Sequence, residues 1–72
     1  MSYHILKKLG VIIREQRLEQ RLSQEKLAFK SEITSDYLGK IELGKVNPSI
    51  IVLYQIAKAL NLTLSEILKS LK

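Results

Sequence analysis

The sequence predicts an all-α fold: one compact domain of five short helices spanning residues 1–72. Three observations lead there. Apolar residues recur at helical spacing almost throughout, strand-like alternation is absent, and Ser, Thr or Asn-Pro-Ser signals mark successive helix starts. The first segment, about Ile5 to Gln20, places Leu6, Leu9 and Ile13 on one stripe. Ser23 caps a second helix, about Gln24 to Lys30, with Leu27 and Ala28 inward. Thr34 caps a third, about Ser35 to Leu43, which Gly44 ends by supplying a left-handed residue. Asn47-Pro48-Ser49 opens a fourth, with proline in its first turn and Ile50, Leu53, Ile56, Ala57 and Leu60 as its stripe. Thr63-Leu64-Ser65-Glu66 is a capping box that opens a fifth helix, running to about Leu71.

Composition narrows the function. A hydrophobic content of 46% supports a core, yet a chain this short buries only about 60% of its unfolded surface, so a partner would add stability. The absence of cysteine excludes disulfides and thiolate metal sites and suits a reducing cytosol. Charges interrupt the apolar residues of MSYHILKKLGVIIREQ, so no signal-peptide core is expected. No apolar run approaches the roughly 18 residues of a membrane span. A cytoplasmic domain with no membrane role is the expectation. The net charge of +5, from 12 basic and 7 acidic residues, suits a polyanion. His4 is the lone histidine and falls in a segment expected to fray. The acidic residues lack paired-carboxylate or metal-ligand spacing, and no glycine-rich phosphate loop exists. No enzymatic activity, metal or cofactor is expected.

The stretch ITSDYLGKIELGK, Ile33 to Lys45, is the informative one. At about 100° per residue, Leu38 and Ile41 form the inward edge of helix three. Asp36, Gly39, Lys40 and Leu43 fall on the opposite side, with Ser35 and Tyr37 flanking. That polar face is thin for a solvated helix, and Gly39 costs about 1 kcal/mol relative to alanine. Arg17 continues the Leu6–Leu9–Ile13 stripe, so its guanidinium points at the core. Glu42 lies about 40° from Leu38, also inward. Charges so placed need partners.

Helices two and three are separated only by Ser31 to Thr34, the short turn of a helix-turn-helix. Through LSQEKLA, TSDYLGKIE, Gly44-Lys45, Asn47-Pro48-Ser49 and IAKAL, the sequence resembles the lambda/434-repressor (Cro/CI-type, xenobiotic-response-element) helix-turn-helix family along nearly its whole length. Its length is similar to small phage repressors, antitoxin-type autoregulators and restriction–modification controller proteins. It departs from the family where glycine is common, carrying Arg21 after helix one and Glu32 after helix two.

The resemblance implies a sequence-specific regulator of transcription that lays helix three in the major groove of double-stranded DNA. Thr34, Ser35, Asp36, Tyr37, Gly39 and Lys40 would then approach the bases. Lys40 can donate to guanine O6/N7 and Asp36 can accept from cytosine N4, though each also suits an ordinary surface or first-turn role. Gln24, Lys45 and Asn47 match backbone-gripping positions, and the family's Arg–Glu ion pair matches Arg17 and Glu42. Glu25 matches an acidic position that some activators present to RNA polymerase; it equally suits the helix dipole. Leu60, Leu64, Ile67, Leu68 and Leu71 carry more apolar surface than a short terminal helix can bury, which predicts a homodimer. The competing reading is a protein-interaction module, of antitoxin or inhibitor type, with little DNA affinity.

Overall fold

The computed structural model describes residues 3–71. Among them the chain forms five helices and no strand: α1 (Tyr3–Glu19), α2 (Gln24–Ser31), α3 (Ser35–Glu42), α4 (Ile50–Ala59) and α5 (Leu64–Lys69). Each of α2 to α5 begins at a hydroxyl. Ser23, Thr34, Ser49 and Thr63 accept from the backbone N–H groups of Lys26, Tyr37, Val52 and Glu66, satisfying a donor with no partner inside the helix. The Glu66 carboxylate returns the bond to the Thr63 N–H at 2.8 Å. Because Ser49 is the cap, Pro48 precedes the helix instead of standing in its first turn.

Four helices end in the same way. The N–H groups of Leu22, Ile33, Lys45 and Leu62 reach back five residues to the carbonyls of Arg17, Ala28, Lys40 and Ala57. The residues just before them, Arg21, Glu32, Gly44 and Asn61, adopt left-handed φ of 59°, 62°, 74° and 62°, as this closing motif requires. Only Gly44 is a glycine. Arg21 and Glu32 therefore hold the strained conformation with a side chain, at a cost of roughly 1–2 kcal/mol each. At three of these corners an apolar residue and then a Ser or Thr cap follow directly (Arg21-Leu22-Ser23, Glu32-Ile33-Thr34, Asn61-Leu62-Thr63), so one helix stops and the next starts within three residues.

Three further expectations need correction. Helix α1 begins by Tyr3, which puts His4 in its first turn, exposed but helical. Helix α5 stops at Lys69, short of Leu71, where the Ser70 hydroxyl donates to the Glu66 carbonyl at 3.1 Å. Ile50 is exposed rather than part of the α4 stripe. It points the same way as Ala57 but lies about two turns nearer the N-terminus, beyond the cover of neighbouring helices.

The core draws on every helix: Leu9 and Ile13, Leu27 and Ala28, Leu38 and Ile41, Leu53, Ile56 and Leu60, and Ile67. Helix α1 packs on α3, α2 on both α3 and α4, and α5 on α4 and α1. The α1–α3 approach is close enough to involve the main chain. A Cβ on Gly10 would lie 2.6 Å from the Ile41 carbonyl oxygen and nearer still to that of Glu42. Next to this contact, Arg17 and Glu42 form a buried bidentate pair: Nε donates to Oε2 at 2.8 Å and Nη2 to Oε1 at 3.0 Å. Arg17 Nη1 also donates to the Leu22 carbonyl at 2.9 Å, and Gln24 Nε2 donates to Glu42 Oε1 at 2.9 Å. The Arg17–Glu42 pair thus joins α1, the first turn, the start of α2 and the end of α3.

Two substitutions test this junction. Gly10→Ala should destabilise by about 2 kcal/mol despite alanine's better helix propensity, since main-chain oxygens cannot move aside as a rotamer would. Glu42→Gln leaves the Arg17 charge buried and should cost about 3–5 kcal/mol; thermal or denaturant unfolding reads both. An unchanged melting temperature in either variant would contradict the assignment.

Candidate nucleic-acid interface

Helix α3 carries its two functions on opposite arcs. Leu38, Ile41 and Glu42 face inward and are buried. Ser35, Asp36 and Lys40 are exposed, Gly39 is half-buried, and all four line one open concavity. Its other wall is the start of α2, Ser23 to Glu25, and Leu43 and Lys45 complete it. The wall is positioned by the Gln24–Glu42 hydrogen bond, so the buried ion pair sets the spacing between the two helices at the surface.

The residues singled out from sequence divide accordingly. Gln24, Ser35, Asp36, Gly39, Lys40 and Lys45 come together in the concavity. Thr34 does not line it: it caps α3, its oxygen already accepting from the Tyr37 N–H at 3.0 Å. Tyr37 is half-buried against the core, on the flank of α3. Asn47 is exposed in the loop beyond Lys45 and does not line the concavity. Ser23 and Leu43 were not among the expected site residues. Leu43 had a legible signal, since it shares the arc of Asp36 and Lys40 and is an exposed leucine on an otherwise polar face.

One feature of this surface is unusual for a helix facing only water. Gly39 has no reason inside the protein to lack a side chain: a Cβ there would sit 3.7 Å from Gln24 Oε1, an ordinary contact. Its conformation is plain helix, so the fold carries a propensity cost of about 1 kcal/mol that nothing inside the protein offsets. The charges of the concavity balance. Lys40 and Lys45 line the concavity together with Glu25 and Asp36, so the chain's net positive charge lies elsewhere. Among the described residues no group of three or more His, Cys, Asp or Glu could hold a metal ion, and no helix is long and apolar enough to cross a membrane.

A family model described as helix-turn-helix matches residues 13–67, which include the whole of α2, the turn and α3. The chain belongs to the helix-turn-helix family. Its relatives include an uncharacterized HTH-type transcriptional regulator, y4dJ, of Sinorhizobium fredii, 38% identical over 47 residues, covering 65% of this chain and 61% of that protein. The chain therefore spans less than two thirds of that relative's length. The ImmF control region 10 kDa protein of Bacillus phage phi105 is 39% identical over 59 residues, 82% of this chain and 66% of its own. Among solved structures, the restriction-modification controller protein C.AhdI from Aeromonas hydrophila superposes with a TM-score of 0.84 at 39% identity, covering 86% of this chain and 94% of that one.

Gly39 lies on the outer arc of the second helix of the helix-turn-helix, where its role can be tested against the fold. Gly39→Ala should raise stability by up to about 1 kcal/mol; if this arc is the surface that contacts DNA, the same change should weaken binding to duplex DNA, because the added methyl would hold the helix back. Melting and binding measured on the same preparation check both signs. Gains in both would remove the functional reading of this glycine.

Proposed function

We propose that the protein is a sequence-specific double-stranded DNA-binding regulator of transcription, acting in the cytoplasm on the nucleoid and controlling its own promoter. The observation that carries this reading is the concavity. A helix-turn-helix presents the outer arc of α3 beside the N-terminus of α2, with Gly39, whose missing side chain nothing inside the protein requires, on that arc. In this arrangement α3 enters the major groove, Lys40, Asp36 and Ser35 reach base edges, and Gln24, Lys45 and Asn47 hold the backbone. The free backbone N–H groups at the start of α2 favour a phosphate. If the regulator activates, exposed Glu25 is the acidic group it offers to RNA polymerase.

Our reading includes a symmetric homodimer. Leu60 and Ile67, expected in its interface, are instead 1% exposed within one protomer, where they fill the space between α4, α5 and α1. The surface left for a partner is Leu68, at 42% exposure, with half-buried Leu64 and Leu71. It continues through a cleft that Leu62 and Leu64 share with Tyr54 of α4, itself exposed. A two-fold axis through this region closes such a patch on itself. The two α3 helices would then read half-sites one turn apart, roughly 34 Å, on a pseudo-palindrome.

Selection from random duplexes followed by footprinting at the protein's own promoter tests the reading. A two-fold symmetric site and steep weakening with salt are the expected results. Leu68→Arg should weaken binding more than tenfold and leave a monomer in sedimentation, without altering any DNA-facing group. A protein that selects no sequence even at low salt would be a protein-interaction module on this fold.

A further inference from the structure

Asp36 and Lys40 stand one turn apart on the outer arc of α3 and touch: Lys40 Nζ lies 3.5 Å from Asp36 Oδ2, with side chains 54% and 84% exposed. Resting on the DNA-binding reading above, we propose that the two residues act as one unit that selects a C·G base pair in each half-site, with cytosine under Asp36 and guanine under Lys40.

A carboxylate is the group least expected on such a surface. Asp36 lines a concavity that would receive a polyanion, and a bare carboxylate there is repelled by phosphates. Lys40 offsets part of that charge from one side; the carboxylate's remaining acceptor capacity, facing the groove, is matched only by a base-edge donor, and in the major groove those are cytosine N4 and adenine N6. Adenine N6 is flanked by acceptors on both sides, its own N7 and thymine O4, so a carboxylate there meets two like partial charges. Cytosine N4 has an acceptor on one side only, guanine O6. That oxygen and the adjoining N7 are the two acceptors a lysine prefers.

Spacing agrees with this assignment. Cytosine N4 and guanine O6 are joined by their own hydrogen bond, roughly 2.9 Å long. The Asp36–Lys40 pair at 3.5 Å presents an acceptor and a donor at nearly the same separation, in complementary order. The ion pair therefore need not break to bind, and each charge exchanges water for a matched partner. Gly39, between the two residues in sequence, leaves no side chain to hold them off the base pair. With Lys45 and Glu25 also lining the concavity, its two positive and two negative side chains balance, so attraction to DNA of arbitrary sequence is weak at this surface, and Asp36 acts as a filter as well as a reader.

Duplex selections with wild type, Asp36→Asn and Asp36→Ala, at one salt concentration, test the proposal. Wild type is expected to fix C·G at one position of each half-site. Between two duplexes differing only there it should prefer C·G over A·T by about tenfold or more. Asp36→Asn should change that position to A·T, since an amide matches adenine N6/N7. Asp36→Ala should leave it unselected and bind random duplex more tightly than wild type, with the other positions unchanged in both variants. A wild-type site lacking a fixed C·G, or one base preference shared by all three proteins, overturns the proposal. So does a variant that melts earlier while reading the same sequence, which would reduce the pair to a helix-stabilising contact. Failure of wild type to select any sequence is a different result: it removes the DNA-binding reading itself.

Discussion

The carboxylate of Glu42 is the point on which the geometry of the molecule depends. It receives two hydrogen bonds from Arg17 and one from Gln24, and Arg17 turns its remaining donor to the carbonyl of Leu22. Removing one partner leaves an uncompensated buried charge, whereas the intact pair contributes little beyond its own desolvation. Its value is therefore in specifying arrangement more than in adding stability. A hydrophobic contact between α1 and α3 could slide by a residue. A bidentate fork with a third donor on the same carboxylate cannot, and Gly10 removes the last spacer by bringing the α1 backbone against the end of α3.

The corners are built from equally few residues. At each of three turns a left-handed residue, an apolar residue and a hydroxyl cap follow in sequence, so the carbonyls of one helix and the N–H groups of the next are satisfied within a few positions. Turns this short leave adjoining helices little freedom in crossing angle. The αL strain at Arg21 and Glu32 accompanies this compactness where glycine is missing. Asn61 is better suited, because its short polar side chain tolerates that region.

Much of this is legible in the amino-acid sequence alone. Caps at Ser23, Thr34 and Thr63 follow from residue type and position, and the inward direction of Arg17 and Glu42 follows from angular spacing. What is not legible depends on how helices cross. Gly10 gives a signal, a glycine inside an amphipathic helix, but only the α1–α3 approach says what presses on it. Leucines near the C-terminus look alike in sequence; Leu60 and Ile67 go inward and Leu68 outward because α5 is only six residues long and meets both α4 and α1. The site is legible as a face of α3. Its opposite wall at Ser23, and the contact between Asp36 and Lys40, emerge only from the packed helices.

Because α3 is only eight residues long, the groups that hold it and the groups it displays alternate along the same two turns. Turning the helix about its axis to aim a different residue outward would pull Glu42 from Arg17 and Leu38 from the core. Its outer positions therefore resemble type set in a locked frame: letters can be exchanged, but none can be moved. On the proposed DNA-binding reading, divergence of such a protein toward a new address on the chromosome would proceed by replacing single characters at fixed places. Each replacement would leave the fold nearly indifferent, so the alphabet of the reading surface can drift while the scaffold stays still.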